Sequence, residues 1–257
     1  MNQVETRALI IKGSNYGESD RILTLITEDL GRIKGIAKGA RKSLKRFGGA
    51  LEPFTLVKLV LKPGKGLAFI NDARVLKSYK AIRNDIVKIS YGSYIMELAD
   101  VLSDENHHHD RDSARCFFAL TLDSMERLSH AKALEVVVRE FEIRLLSMAG
   151  YMPSLLECTS CGSNVFKISA ESAPMGIAFS HSRGGVVCGK CRGHDNSAFD
   201  FISPGTLKTL SGALNGKVSF TKDALNESGR LLSAFISQHL GKRLKSLDFI
   251  AHIKGIG

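Results

Sequence analysis

The segment FTLVKLVLKPGKGLAFINDARVL, residues 54 to 76, gives the clearest indication of the fold of the N-terminal part of this 257-residue chain. It predicts a strand from Phe54 to Lys62, a turn at Pro63 to Gly66 and another strand from about Leu67 to Leu76. Valine, isoleucine and phenylalanine are enriched in strands, whereas proline and glycine mark turns. The segment therefore predicts two strands joined by a tight turn.

Three more strands are predicted upstream of this pair. They cover about Thr6 to Lys12, Arg21 to Thr27 and Arg32 to Lys38, with the turn-rich segment GSNYGES after the first. Alternation places Ala8 and Ile10 on one face of the first strand. Five closely spaced strands without a long helix are typical of a small closed barrel or sandwich, and a five-stranded OB barrel is the size that fits.

The pattern becomes helical from about residue 82. Apolar spacing predicts helices over residues 82–102, 113–127, 131–148, 204–214 and 222–244. Residues 158–191 interrupt this pattern with two short strand-like runs, VFKIS and GIAFS. The fold class is therefore α+β with several domains: an OB-type barrel, then an α-helical domain with an inserted four-cysteine β segment resembling a zinc ribbon.

These changes of pattern predict the domain boundaries. We expect an OB-fold nucleic-acid-binding domain over residues 1–80, a helical domain over 81–157 and 195–247, a zinc-binding insertion over 158–194 and a C-terminal tail over 248–257.

The composition indicates a folded protein, with 44% hydrophobic residues and a formal net charge of +10. No apolar run approaches the roughly 18 to 20 residues that span a bilayer. The N-terminus, MNQVETRALIIKG, lacks the basic head and apolar core of a signal peptide. The sequence predicts a cytoplasmic protein without membrane contact, whose five cysteines are thiols or metal ligands rather than disulfides.

Basic residues are concentrated near the N-terminus. Residues 1–80 hold 16 Lys or Arg and 7 Asp or Glu, a net charge of +9. Residues 31–50 contain no acid and seven basic residues, which are Arg32, Lys34, Lys38, Arg41, Lys42, Lys45 and Arg46. Such residues neutralise phosphates and release counterions, so we predict a nucleic-acid contact here, on a mobile loop or a turn with a short helical piece. A merely solvated loop is the alternative, although such loops usually mix signs.

Aromatic residues that could stack on bases are sparse around this basic segment. They are Tyr16, Phe47 and Phe69.

Two CxxC pairs predict a metal site. Cys158 and Cys161 form the first pair, Cys188 and Cys191 the second, and 26 residues separate them. Two residues between thiolates let both sulfurs reach one ion, and two such pairs supply the four thiolates that Zn²⁺ prefers. We interpret them as one closed, structural zinc site without an open position for a substrate.

Other interpretations of the cysteines and histidines stay open. A redox role suits a lone CxxC pair, but neither pair is predicted to begin a helix after a strand, as in a thioredoxin-like site. His181 or His194 could replace one cysteine as a ligand. The three histidines at 107–109 suggest a metal site, but consecutive side chains point in different directions, which favours a solvated loop. Cys116 is expected to be buried in a helix.

The sequence lacks the common catalytic motifs. It contains no GxxxxGK[ST] phosphate loop, no HExxH and no GxSxG, and no obvious acidic cluster for a two-metal nuclease. It therefore predicts no nucleotide-driven motor and gives no reason to expect an enzyme.

The chain resembles the RecO family of bacterial recombination mediators. The likeness is carried by ALIIKGSNYGESDRILTLIT (8–27), GRIKGIAKGARK (31–42) and GALEPFTLVKLVL (49–61). Residues 91–102, the two CxxC pairs and LGKRLKS (240–246) extend it over essentially the full length. The resemblance implies an N-terminal OB domain, a helical domain and a four-cysteine zinc site.

The resemblance also implies a function. Members bind ssDNA and dsDNA, anneal complementary strands without ATP and, with the partner RecR, help load recombinase onto DNA coated by single-strand binding protein. They contact the acidic C-terminal tail of that coat protein. The implied DNA contacts are Lys38, Arg41 and Lys42, whereas Lys45 and Arg46 rest on charge. We expect a nucleoid-associated cytoplasmic protein.

Three alternatives remain at this point. A second basic run, Lys242, Arg243 and Lys245, could contact DNA or an acidic tail, or be an ordinary solvated helix end. The same charges would serve an RNA-binding OB and zinc-ribbon protein equally well. A metal-dependent nuclease would use the acids and histidines of residues 100–112.

Overall fold

The computed structural model describes residues 3–105, 110–168, 176–193, 198–216, 219–241 and 243–256. The histidines at 107–109, His194 and Lys242 lie outside the described residues. The chain divides into two compact units, residues 1–134 with 244–257 and residues 135–243. No helix formed by the described residues is long and apolar enough to cross a membrane.

The first unit begins with a closed barrel of the five predicted strands. They are β1 (Val4–Tyr16), β2 (Asp20–Thr27), β3 (Gly31–Ala37), β4 (Thr55–Lys62) and β5 (Ala68–Ser78), in the order β1-β2-β3-β5-β4. All neighbouring strands are antiparallel except β3 and β5, which pair in parallel at Gly35–Ala68 and Ile36–Phe69. This five-stranded barrel is of the OB type, so the predicted fold class is confirmed.

Alternating side chains fill the interior of the barrel. Ala8 and Ile10, which alternation places on one face of β1, belong to one buried cluster with Ala37 of β3, and Ile33 packs against this cluster. The same cluster contains Leu23, Leu25, Phe47, Ala50, Leu51, Val57, Leu59, Leu61, Ala68, Ile70 and Ala73.

Helices cover part of the outer wall of the barrel. The described residues of the first unit form α1 (Leu44–Phe47), α2 (Lys80–Arg83), α3 (Ile86–Glu105), α4 (Arg111–His130) and α10 (Lys245–Ile256). Helix α3 packs against β1 and β3, and α4 against β2 and β3. Leu9 and Ile26 alternate with interior residues yet are fully buried, because these helices cover them.

The prediction of a tail over residues 248–257 is wrong, because α10 occupies most of this segment and packs against α3. Glu97 of α3 accepts hydrogen bonds from the backbone N–H groups of Lys245 and Ser246 at 3.1 and 2.8 Å. It thereby satisfies N–H groups that the start of a helix leaves without partners. The contact joins residues about 150 positions apart, so no local pattern could indicate it.

The second unit combines helices with a small antiparallel sheet of order β7-β6-β8. Its strands are β6 (Ile177–Ser180), β7 (Gly185–Val187) and β8 (Asp200–Ile202). Its helices are α5 (Leu134–Met148), α6 (Val165–Ile168), α7 (Gly189–Arg192), α8 (Pro204–Ala213) and α9 (Lys222–Leu240).

Two local predictions in this unit need correction. The run GIAFS forms a strand as expected, but VFKIS does not: it begins with one helical turn, α6. Asn164 accepts a hydrogen bond from the N–H of Phe166 at 3.0 Å, which favours a helix start. Helix α9 ends before residue 244 because Gly241 adopts a left-handed conformation with φ of 55°.

The compact units differ from the predicted domains. Helices α2 to α4 belong to the same unit as the barrel, although the predicted domain boundary lies at residue 80. Whether residues 1–80 fold as a separate domain stays a prediction.

Candidate nucleic-acid interface and metal centre

The basic loop, defined here as residues 38–46, follows β3 and includes most of α1. Residues 38–42 form turns and α1 follows, so the loop is the turn with a short helical piece, one of the two predicted alternatives. Phe47 is only 3% exposed and joins the barrel core with Ala50 and Leu51. This apolar anchor fixes the C-terminal end of the basic loop to the barrel.

Hydrogen bonds tie the basic loop to the turn between β1 and β2. Asp20 accepts from the N–H of Gly39 at 2.8 Å, and the N–H of Arg41 donates to the carbonyl of Ser19 at 3.0 Å. The Arg41 guanidinium donates to the carbonyl of Glu18 at 3.0 Å. The bonds from Gly39 and Ser19 hold the pKa of Asp20 below its ordinary value. Gly39 has φ of 65°, a conformation that favours glycine.

Most of the predicted DNA contacts are exposed. They are Lys34, Lys38, Arg41, Lys42 and Arg46. Arg46 donates to the carbonyl of Lys38 at 2.8 Å, and its guanidinium carbon lies 5.0 Å from the centre of the Phe47 ring. A carbonyl and a ring carry no net charge, so these contacts orient Arg46 and leave its positive charge for an anion. Lys45 lies within α1.

Arg32 is held differently from the other basic residues. Its side chain is 13% exposed, and its Nε donates to Asp100 of α3 at 2.5 Å. Lys12 donates to the other carboxylate oxygen at 2.6 Å. Burial raises the pKa of Asp100, but the hydrogen bonds from Lys12 and Arg32 outweigh it, so this pKa lies below its ordinary value. Arg32 therefore balances a buried carboxylate inside the first unit.

Two lysines of the barrel, Lys62 and Lys65, were not among the predicted DNA contacts. Lys62 ends β4 and pairs across the sheet with Phe69, and Lys65 lies in the turn between β4 and β5. Both lysines are exposed. Phe69 also lies beside β3, and the Nζ of Lys38 is 5.8 Å from the centre of its ring. The turn sequence carried a usable signal, because the β4–β5 loop of OB folds contacts nucleic acid.

The four predicted ligand cysteines come together in the second unit. The sulfurs of Cys158, Cys161, Cys188 and Cys191 all lie within 4.8 Å of one another, and the Cys161 and Cys188 sulfurs are 3.8 Å apart. Zinc–sulfur bonds of about 2.3 Å give a tetrahedron with edges of about 3.8 Å, so the set fits a four-thiolate ion. Among the described residues, no histidine or carboxylate joins this cluster.

The remaining candidates lie outside the cysteine cluster. His181 has its Nε2 2.8 Å from the Asp200 carboxylate instead. Cys116 lies in α4 and is exposed, so the expectation that it is buried is wrong.

Each cysteine pair lies on a local turn. Gly162, at φ of 72°, donates its N–H to the carbonyl of Cys158 at 2.8 Å, which closes the first turn. The N–H of Cys188 donates to the sulfur of Cys158 at 3.3 Å. Burial raises the pKa of Cys158, but backbone N–H donors led by Cys188 lower it to about 6. Such donors stabilise a thiolate, the form that binds a metal.

The pair Cys188 and Cys191 differs from the prediction that neither pair begins a helix after a strand. Cys188 follows β7 and precedes α7, so this pair does begin a helix after a strand. The metal interpretation instead rests on the grouping of four sulfurs, whereas a redox pair requires only two.

Comparison with known proteins gives matches over almost the whole chain. Residues 1–79 match the family described as "Recombination protein O N terminal", and residues 83–248 match "Recombination protein O C terminal". Among the similar proteins are relatives named DNA repair protein RecO. Three of them come from Desulfatibacillum aliphaticivorans (34% identical, 99% of this chain and 98% of the relative), Geobacter sulfurreducens (34%, 98% and 99%) and Acetivibrio thermocellus (32%, 97% and 97%).

Proposed function

The chain belongs to the recombination protein O family, and from this premise we propose that it is a DNA-repair and homologous-recombination mediator. It binds single- and double-stranded DNA and anneals complementary strands without ATP and without enzymatic chemistry. The observation that carries the proposal is the basic loop, held on an OB-type barrel by the hydrogen bonds of Gly39 and Arg41.

The proposed mechanism is electrostatic. Two complementary strands repel each other through their phosphates, and a fixed set of cations lowers that repulsion. Base pairing then supplies the free energy of annealing, so no bond is made or broken. The proposed DNA contacts are Lys34, Lys38, Arg41, Lys42, Lys45 and Arg46. Arg32 was predicted with them, but the proposal does not depend on it because Asp100 already pairs with its charge.

The proposal includes the partners that the family resemblance implies. With RecR, the protein helps load recombinase onto DNA coated by single-strand binding protein, and it contacts the acidic C-terminal tail of that protein. It works in the cytoplasm, associated with the bacterial nucleoid.

We also propose that Cys158, Cys161, Cys188 and Cys191 hold one structural Zn²⁺. The four thiolates would hold the ion, whose two positive charges would offset two of their four negative charges, and the four bonds would cross-link the two turns that carry the cysteines. The four cysteines fill the coordination of the ion, so no substrate binds to it.

Charge reversal of the basic loop tests the DNA-binding proposal. Lys38→Glu, Arg41→Glu and Lys42→Glu together should abolish binding of a fluorescein-labelled single strand in anisotropy titrations. Lys80→Glu, Lys132→Glu and Lys222→Glu change the net charge equally at exposed positions elsewhere and should bind like the parent. Unchanged affinity in the loop variant, with unchanged circular dichroism, would show that the site is assigned wrongly.

Two further assays separate the alternative functions. Unlabelled RNA of the same sequence should compete less well than DNA, and stronger competition by RNA would favour the RNA-binding alternative. Annealing of complementary strands coated by single-strand binding protein should proceed equally with and without ATP. Labelled DNA incubated with the protein and Mg²⁺ or Mn²⁺ should stay intact, whereas cleavage would favour the nuclease alternative.

A further inference from the structure

Phe69 is an exposed aromatic residue of β5, close to the exposed lysines Lys38 and Lys62 of the barrel. Its neighbours in β5, Ala68 and Ile70, point into the core and are 8% and 3% exposed, whereas Phe69 is 44% exposed. A single exposed apolar side chain is common on protein surfaces and by itself indicates no site. The surroundings of this ring supply the further evidence.

Lysines lie on both sides of the Phe69 ring. Lys62 is its cross-strand partner in β4, and the Nζ of Lys38, the residue after β3, lies 5.8 Å from the ring centre. Lys34 lies in β3 itself and is exposed as well. Residues 53–71 contain no acid, so the β4–β5 turn beside the ring contributes only positive charge, from Lys62 and Lys65.

A groove lies along the β4–β5 turn, and Gly64 of this turn is close to the same ring. The groove has a volume of 370 Å³, and Lys34, Pro63, Gly64 and Gly66 are among the residues that line it. A Cβ on Gly64 would lie 3.4 Å from Cε2 of Phe69 and 2.2 Å from the carbonyl oxygen of Leu67. The Leu67 carbonyl therefore requires glycine at this position, and Gly64, which lines the groove, also lies beside the edge of the Phe69 ring.

We propose that Phe69 is a stacking platform for one base of single-stranded DNA, with Lys38 and Lys62 holding the neighbouring phosphates and Lys34 directing the strand along the groove. This inference rests on the proposed DNA-binding function. Every base has a face that can stack on an aromatic ring, whatever the sequence. A stacked base contributes more than an ammonium over an exposed ring, so the base displaces Lys38, which then pairs with a phosphate.

The platform distinguishes single strands from duplexes. Bases in a duplex are already stacked on one another and their faces are covered, so a duplex contacts only the lysines, through its phosphates. The ring thus adds affinity for single strands alone.

The test compares Phe69→Leu with the parent chain on a single strand and on a duplex of the same sequence. The single-strand dissociation constant should rise about 10-fold, while the duplex constant changes less than about 2-fold. Phe69→Trp should restore single-strand binding. Fluorescence of 2-aminopurine in the strand should change on binding to the parent and much less with Phe69→Leu.

Phe201→Leu is the matched control. Phe201 is 36% exposed, and the guanidinium carbon of Arg192 lies 5.4 Å from the centre of its ring, but it belongs to β8 in the other compact unit. Its replacement should leave both affinities unchanged.

The results of this test distinguish failure of the stacking role of Phe69 from failure of the proposed function. Unchanged single-strand affinity in Phe69→Leu, or an equal loss for single strand and duplex, overturns the platform. In either case the proposed function stands as long as the parent binds DNA. A parent chain that binds neither form would instead refute the proposed function.

Discussion

Asp100 connects three elements of the first unit through a single carboxylate. It lies in α3 with its side chain 8% exposed, and it pairs with Lys12 of β1 and Arg32 of β3. Breaking a buried ion pair by removing one partner is costly, because the other charge stays buried without compensation. Arg32, at 13% exposure, would be that charge.

Asp100→Asn should therefore destabilise the chain by about 3 kcal/mol at neutral pH, measured by urea unfolding. Asp123→Asn is the control: Asp123 is 51% exposed and 3.9 Å from Arg127 across one helical turn, so its loss should cost less than about 1 kcal/mol. A loss below about 1 kcal/mol for Asp100→Asn would contradict the structural role of the ion pair.

The same carboxylate makes a prediction about pH. Its pKa in the folded chain is depressed, so its contribution is fully present above the unfolded value of about 3.9. That contribution is lost as the pH falls through the lower folded value. The difference in stability between parent and Asp100→Asn should shrink below about pH 4, and a constant difference down to pH 2 would contradict it.

At the scale of elements, the cysteine cluster joins two turns that are distant in sequence. Cys158 precedes the turn closed by Gly162, and Cys188 lies between β7 and α7. The short strands of this sheet offer few residues for a core of their own. A metal cross-link would supply free energy that these elements lack, because binding to the folded site is also folding free energy.

Cys188→Ser should lose the metal and lower the unfolding temperature of the second unit. Metal analysis of the parent should give about one zinc per chain, since one closed four-ligand set is present. Cys116→Ser is the matched control, because Cys116 is exposed and lies outside the cluster. Zero zinc in reduced, folded parent protein, or equal metal content in Cys188→Ser and the parent, would contradict the site.

At the scale of the whole molecule, the charge is distributed unevenly along the chain. Residues 1–80 carry a net charge of +9 out of +10, so the barrel supplies nearly all of the excess. Such asymmetry concentrates an anionic partner at one part of the protein. It also makes the interaction sensitive to salt, because each phosphate that is neutralised releases counterions.

Log affinity for single-stranded DNA should fall against log salt with a slope of about −3, as expected for four or five neutralised phosphates. Anisotropy titrations at salt concentrations from about 50 to about 300 mM measure the slope. Reversal of Lys38, Arg41 and Lys42 should leave no measurable binding at any of these salt concentrations, whereas the reversal of Lys80, Lys132 and Lys222 should leave the slope unchanged. A parent slope near zero would exclude binding through the phosphates.

The amino-acid sequence was enough to predict the features that depend on near neighbours in the chain. Strand-forming runs and turn residues predicted the five strands, and alternation placed Ala8 and Ile10 on one face of β1, because side chains in a strand point to opposite faces in turn. The two CxxC spacings predicted which cysteines would group, and the lopsided charge of residues 31–50 marked the basic loop.

The folded structure was needed for the features that depend on contacts between distant residues. It paired Arg32 with Asp100, 68 residues away, and made a helix of the predicted tail by supplying Glu97 to its start. It also buried Phe47 and exposed Phe69, although both are phenylalanines near the basic loop. The reason is that burial and charge pairing are set by which elements meet in the folded chain, and composition and periodicity describe only each element by itself.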